Sequence, residues 1–363
     1  NPYQFDVIPL EVLGNIYEQY LGYTIRLTDH QVKYELKPDV RKAGGVYYTP
    51  EYIVDYIVQN TVGKLIQELP PTKIKKLRIL DPACGSGSFL IRAYKEMLRY
   101  YEGQKKQQKK PVDEHHDMGI KHTGEIKLSI GEKAKILLEH IFGVDIDEQA
   151  VEVTKLSLML KMLEGEYGLV PGRAVLPMLD KNIRCGNSLI SGDTLELKKY
   201  FGDEWYKVKP FNWGDVFKKI MVEEGRFDVV IGNPPYVNAK ALVELFFNQR
   251  RYLEASNQYS TLFQKWDLYI AFIEQGLRLL KNETGLFSMI IPYPYINQMY
   301  GQKSREFISN NYTILSISDL SEWKIFQDAA VSNCIIVVQK RKPKSHKVNI
   351  VKKNEKDKFF ISF

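Results

Sequence analysis

Cysteine is scarce in this chain. Cys84, Cys185 and Cys334 are the three among 363 residues, odd in number and far apart in sequence. No disulfide framework or zinc-ligand spacing can be built from them, which suits a reducing cytoplasm. Apolar runs long enough to cross a bilayer are missing, as is a signal peptide. No Gly-Lys-Ser/Thr phosphate loop and no GxGxxG fingerprint occur, so two common nucleotide sites are excluded. An initiating Met is absent too: the chain starts at Asn1 and ends in KFFISF, and it reads as a piece of a longer protein. Charge of one sign is not dominant. Against 44 Asp and Glu stand 51 Lys and Arg, a net +7 that only slightly favours a polyanionic partner. Two basic runs, QKKQQKKP at 104–111 and RKPKSHKVNIVKKNEKDK at 341–358, read by themselves as solvated loop or tail.

What the chain does have is alternation. IPLEVLGNIYEQYL (8–21) has the spacing of an amphipathic helix, and charged linker sequence follows to Lys42. In YYTPEYIVDYIV, Thr49 suits an N-cap and Pro50 the first helical position, with Tyr52, Ile53, Tyr56 and Ile57 as the buried stripe. From Leu77 onward, seven strand-like segments alternate with helical ones: LRILD, IFGVD, KNIRCGN, FDVVIG, GLFSMIIP, TILSISDL and SNCIIVVQK. This predicts an α/β fold, a mostly parallel sheet with helices on both faces. The stretch 101–130 interrupts the pattern as a basic insertion.

The strand tips carry the chemistry. LRILDPACGSGSFL places Gly85 and Gly87 where a backbone must turn tightly near a ligand, and Asp81 at the tip of the strand. A carboxylate there repels a pyrophosphate and attracts an ammonium or sulfonium group. Asp145, in GVDID, suits two ribose hydroxyls, Ile146 the face of a purine, and Asn187, in CGNSL, the amine of an adenine. Ribose, adenine and a cationic amino acid together describe S-adenosylmethionine. Asp81 and Asp145 could instead be helix caps, but four polar tips at one sheet edge make that the weaker account.

The fourth tip is NPPY, residues 233–236. A nucleobase amine is a poor nucleophile because its lone pair is delocalised, and two acceptors aimed at its two N–H groups favour the tetrahedral form that can attack. The Asn233 side-chain oxygen and the Pro234 carbonyl can serve, held rigid by Pro234 and Pro235, with Tyr236 as a stacking face.

NPPY together with DPACGSG, GVDID and CGNSL, in this order and after a Thr-Pro helix, resembles the gamma-class N6-adenine DNA methyltransferases. The resemblance runs from about Gly44 to Lys340, and the lead-in PLEVLGNIYEQYLG resembles that of type IIG restriction-modification enzymes. It implies a class I methyltransferase fold with a mixed seven-stranded sheet, spanning 44–340, preceded by a helical segment and linker (1–43). Residues 341–363 would be a basic linker or the start of a target-recognition domain. It further implies that Thr49 helps hold the methionine carboxylate, Asp81, Ala83 and Gly85 the amino-acid end, and Asp145 the ribose. Ile146, Asn187 and Pro235 would surround the cofactor adenine. Asn233 and Pro234 would grip the target amine, and Tyr236 and Phe326 would sandwich a base flipped out of double-stranded DNA. No metal and no membrane are called for. The family often has Asp where Asn187 stands. No PD…ExK nuclease motif is evident, so nuclease and most of a recognition domain are expected to lie outside the chain.

NPPY also occurs in methyltransferases acting on protein glutamine or RNA bases, and a non-catalytic DNA-binding subunit would share the fold. A cytosine C5 enzyme would need a nucleophilic Cys after a Pro, and none is so placed. The connection 237–265 leaves directly from the NPPY loop and could form a lid, with Arg250 and Arg251 as candidate phosphate contacts.

Overall fold

Each of the seven expected strands forms, in one sheet. The computed structural model describes residues 23–28, 31–36, 49–108, 127–165, 176–323, 325–326, 331–354 and 357–362. Strands β1 (Tyr23–Thr28) and β2 (Gln31–Leu36) form a separate antiparallel pair. The large sheet comprises β3 (Ile79–Asp81), β4 (Ile141–Asp145), β5 (Ile183–Cys185), β6 (Val229–Gly232), β7 (Leu286–Pro292), β8 (Thr313–Leu320), β9 (Asn333–Gln339), β10 (Asn349–Asn354) and β11 (Asp357–Ser362). Its order is β11-β10-β8-β9-β7-β6-β3-β4-β5. Strands β3 to β7 pair in parallel, and β9 runs antiparallel between β7 and β8. The seven strands expected are therefore extended by two more, β10 parallel to β8 and β11 antiparallel to β10.

A parallel sheet covered on both faces needs strands that are apolar throughout. LFSMIIP (β7) and VVIG (β6) are accordingly buried at every position. The pleat sends neighbours to opposite sides. Leu80, Val230 and Phe287 join one core with the helix Leu268–Leu279, while Ile79, Val229, Ile231 and Ile290 join a second core with the helices Ser88–Gln108 and Glu148–Leu163. Each such side chain contributes roughly 1.5–3 kcal/mol of burial. After β3 the chain builds outward through β4 and β5, then returns to lay β6 on the other side of β3. The carboxyl ends of β3 and β6 thus diverge at a topological switch point, where α/β sheets take their ligands.

Three expectations change. Residues 23–36, read as charged linker, are largely a strand pair whose β-branched alternation (YTIRLT, QVKYEL) the charge had obscured. Pro50, not Thr49, flanks the first turn of the helix Glu51–Val58, and no side chain caps it. Tyr52 faces outward at 45% exposure against Trp323, ring centroids 6.1 Å apart, and leaves the stripe to Ile53, Val54, Ile57 and Val58. The expected helix at 8–21 lies outside the described residues, as does 109–126 of the insertion. Its first residues continue the helix Ser88–Gln108, where Lys105 pairs with Glu132 at 2.7 Å.

Candidate active site

The turn after β3 is braced by its neighbours. Cys84 N–H donates to Val144 O at 3.0 Å and Gly85 N–H to Asp145 Oδ2 at 2.8 Å, so the loop hangs on the tip of β4. Thr154 Oγ1 donates to the Gly85 carbonyl at 2.7 Å. Gly87 has φ +88°, and a Cβ there would sit 2.9 Å from Thr154 Cγ2, so both conformation and space require glycine.

Asp81 is 1% exposed, and Ala83 N–H donates to its Oδ1 at 3.0 Å. Among the described residues no cation pairs with it. Burial, with a further push from the Asp145 charge, raises its carboxyl to about 8, against the lowering effect of the Ala83 bond. The approach is so close that a Cβ on Gly232 would lie 2.6 Å from Asp81 Oδ1, which ties the end of β6 to the end of β3. Burial thus favours the neutral acid, and a cation beside it would favour the ionised form.

Asp145 is no helix cap. Its oxygens accept from Gly85 N–H and, at 2.9 Å, from Asp147 N–H, while Asp147 caps the helix Glu148–Leu163 through Gln149 N–H. Burial raises the Asp145 carboxyl and these two N–H groups lower it. Ile146 beside it is 52% exposed, an apolar face open to solvent. Asn187 is 4% exposed, and its Oδ1 accepts from Leu189 N–H at 3.1 Å. Its Nδ2 is buried with no hydrogen-bond partner among the described residues. The sequence suggested an acceptor for an adenine amine; the free group is a donor, suited to a ring nitrogen of the purine.

At the end of β6, Asn233 Nδ2 donates to Thr49 Oγ1 at 3.1 Å. Its Oδ1 is buried and without a partner among the described residues. Thr49, 4% exposed, therefore fixes which way the amide faces, a contact that sequence reasoning did not give it. Pro234 is buried and Pro235 half-buried beside it. The Tyr236 hydroxyl donates to Ile290 O at 3.2 Å and accepts from Asn333 Nδ2 at 3.1 Å. The rings of Tyr236 and Phe326 do come together, centroids 6.3 Å apart at 75°, and Phe326 is 4% exposed. They meet edge to face.

The connection 237–265 is bolted down. Tyr252 Oη and Gln258 Nε2 both donate to Ser191 O, the latter at 2.8 Å, and Tyr259 Oη donates to Leu189 O at 2.9 Å. Arg250 is consumed by Glu254 at 3.0 Å, by the Ala239 and Gln264 carbonyls at 3.4 and 3.0 Å, and by stacking on Trp266 at 5.1 Å. Arg251 is exposed, 5.7 Å above the Phe247 ring. Asn333 was missed, although the signal was present: a polar residue heads the apolar strand NCIIVVQ, and β9, being antiparallel, starts at the site's edge.

Residues 139–326, just over half of the chain, match the family described as Eco57I restriction-modification methylase, and residues 10–170 match N-6 DNA Methylase. The chain is 30% identical over 93% of its length to the type II restriction enzyme and methyltransferase RM.Eco57I of Escherichia coli, of which it covers 32%. To the type II methyltransferase M.BstVI of Geobacillus stearothermophilus it is 33% identical over 82% of its length and 42% of the relative's. It thus spans less than half of these curated relatives. The fold is shared with the ATP-dependent Type ISP restriction-modification enzyme LlaBIII bound to DNA, at a TM-score of 0.55 and 16% identity over 85% of this chain and 20% of that one. The chain belongs to the Eco57I restriction-modification methylase family.

Proposed function

We propose that this chain is the catalytic part of an S-adenosylmethionine-dependent DNA methyltransferase that modifies the N6 amine of an adenine turned out of the duplex. The observation that carries the reading is Asn233 Oδ1, a buried acceptor without a partner, oriented by Thr49 at the sheet's switch point. A buried amide oxygen left unpaired costs about 1–3 kcal/mol, so its natural occupant is an N–H from outside the chain. With the Pro234 carbonyl it accepts from both amine hydrogens and draws the nitrogen out of conjugation. Bound at the adjacent tips, the donor supplies a methyl carbon on sulfonium: the amine lone pair forms the C–N bond as the C–S bond breaks. Asp81 faces the cationic amino-acid end beside Ala83 and Gly85, Asp145 holds the ribose, and Ile146, Asn187 and Pro235 frame the adenine. Tyr236 and Phe326 take the target base between them. The extra proton leaves to water after transfer, because an amide oxygen is too weak a base to keep it.

We place this activity in the cytoplasm, within a longer restriction-modification chain that supplies sequence recognition and, in the type IIG arrangement, the nuclease. Among the described residues no helix is long and apolar enough to cross a membrane. The test uses the full-length parent chain, unmethylated genomic DNA and methyl-labelled donor, with the product nucleoside identified by mass spectrometry. N6-methyladenine is expected, falling by roughly 10²–10³-fold in Asn233→Ala with donor binding retained. N4-methylcytosine, or label found in protein or RNA alone, sinks the reading.

A further inference from the structure

Beside the NPPY loop stands a second asparagine with an unpaired oxygen. Asn333 opens β9, is 0% exposed, and pairs across the sheet with Pro292 and Leu320. Its Nδ2 donates to the Tyr236 hydroxyl at 3.1 Å, and its Oδ1 is buried without a hydrogen-bond partner among the described residues. A strand position that served packing alone would be filled by an apolar residue, as Cys334 to Val338 are. An amide that satisfies one of its two groups, and does so on a site side chain, is costly unless that contact matters.

The two ring walls are held differently. Tyr236 is tethered at its hydroxyl by two hydrogen bonds, to Ile290 O and from Asn333 Nδ2, and follows two prolines whose φ angles are fixed. Its ring also meets Tyr269 edge to face at 6.3 Å. Phe326 has no hydroxyl, so its ring has no tether of this kind.

We propose that Asn333 is a positioning residue for the target base: by holding the Tyr236 hydroxyl it makes Tyr236 a fixed wall of the pocket. The assignment rests on the methyltransferase reading above. A base that flips into a pocket with one preset face loses less freedom on capture, so the benefit belongs in DNA affinity rather than in the transfer step.

The test is steady-state methylation of unmethylated genomic DNA by the full-length parent chain, in Asn333→Ala, Tyr236→Phe and the double variant. Tyr236→Phe keeps the ring and the fold while deleting the hydroxyl, so it stands even if Asn333→Ala folds poorly. Asn333→Ala is expected to raise the KM for DNA roughly three- to tenfold, the worth of one neutral hydrogen bond, and Tyr236→Phe, which also loses the bond to Ile290 O, at least as much, with donor affinity unchanged in both. The double variant should be no worse than Tyr236→Phe, because that variant has already lost the Asn333 contact. Effects that multiply, or a KM for DNA equal to wild type in Tyr236→Phe, overturn the assignment while leaving the methyltransferase reading intact. Wild type that binds the donor yet methylates no DNA overturns both together.

Discussion

The half of this site that we assign to the cofactor and the half that we assign to the base are built on opposite plans. Around Asp81 and Asp145 the backbone is cross-braced: Gly85 and Asp147 N–H groups fix Asp145, Ala83 N–H fixes Asp81, and Thr154 fixes the loop. What is missing there is a cation: among the described residues none pairs with the buried carboxyl of Asp81 or the half-buried one of Asp145. Around Asn233 and Tyr236 the contacts are neutral ones: rings that meet edge to face, and two amide oxygens without donors among the described residues. The first half is preorganised and waits for a cation; the second is closed and waits to be opened. Donor binding should therefore depend on electrostatics and little on motion, and base capture the reverse.

Asp145→Ala challenges that contrast most severely. It removes the proposed ribose acceptor and also strips Gly85 and Asp147 N–H groups of their partner, so the loop loses one of its two holds on β4. Two lost charge-assisted hydrogen bonds correspond to roughly 10²-fold or more in donor affinity, read by calorimetry. An unchanged affinity would mean that bracing and binding are separate, and the first half of the comparison would collapse.

Next in size is pH. In the donor-free protein Asp81 keeps its proton up to about 8. A cation favours the ionised form, so binding below that pH must expel a proton. Donor affinity should climb by up to about tenfold per unit from pH 6 toward 8. Beyond pH 8 the donor's own amine begins to lose its proton, and the rise ends. The stability of the donor-free chain runs the other way. A carboxyl raised on folding adds stability that is fully present below about pH 4 and is lost as pH rises through about 8. Melting temperatures with and without donor should therefore diverge between pH 5 and 8. In Asp81→Asn both slopes should flatten; persistent slopes would assign the titration elsewhere.

Much of this was legible in the sequence, and the gaps have physical causes. Strand-like segments and polar tips are local patterns, so FDVVIGNPPY and LRILDPACGSG announced a buried strand and its polar end without the rest of the molecule. The partners of those tips are not local. Thr49 meets Asn233 across 184 residues, and Asn333 meets Tyr236 across 97, contacts that depend on the crossing order of strands. Asn187 shows a subtler limit. Its place was readable, but whether its amide offers oxygen or nitrogen was decided by Leu189 N–H two residues on. The strand pair at 23–36 was missed because its charge outweighed its period-2 alternation in the reading.

The smallest effect decides where the connection 237–265 belongs, since it leaves from the NPPY loop yet is fastened to Leu189 and Ser191 on the cofactor side. Arg250 is spent on contacts within the connection and on Trp266, whereas Arg251 lies exposed on the same helix, Phe247–Ala255. Arg251→Ala in the full-length chain should weaken DNA binding a few-fold and lower the salt dependence by about one ion, as loss of one phosphate contact does. Arg250→Ala should instead lower the melting temperature by several degrees, through lost packing and three lost partners, and leave the salt slope alone. If Arg251→Ala leaves DNA binding and its salt slope at wild-type values but shifts donor affinity, the connection works for the cofactor half, and the boundary between the two plans moves to include it.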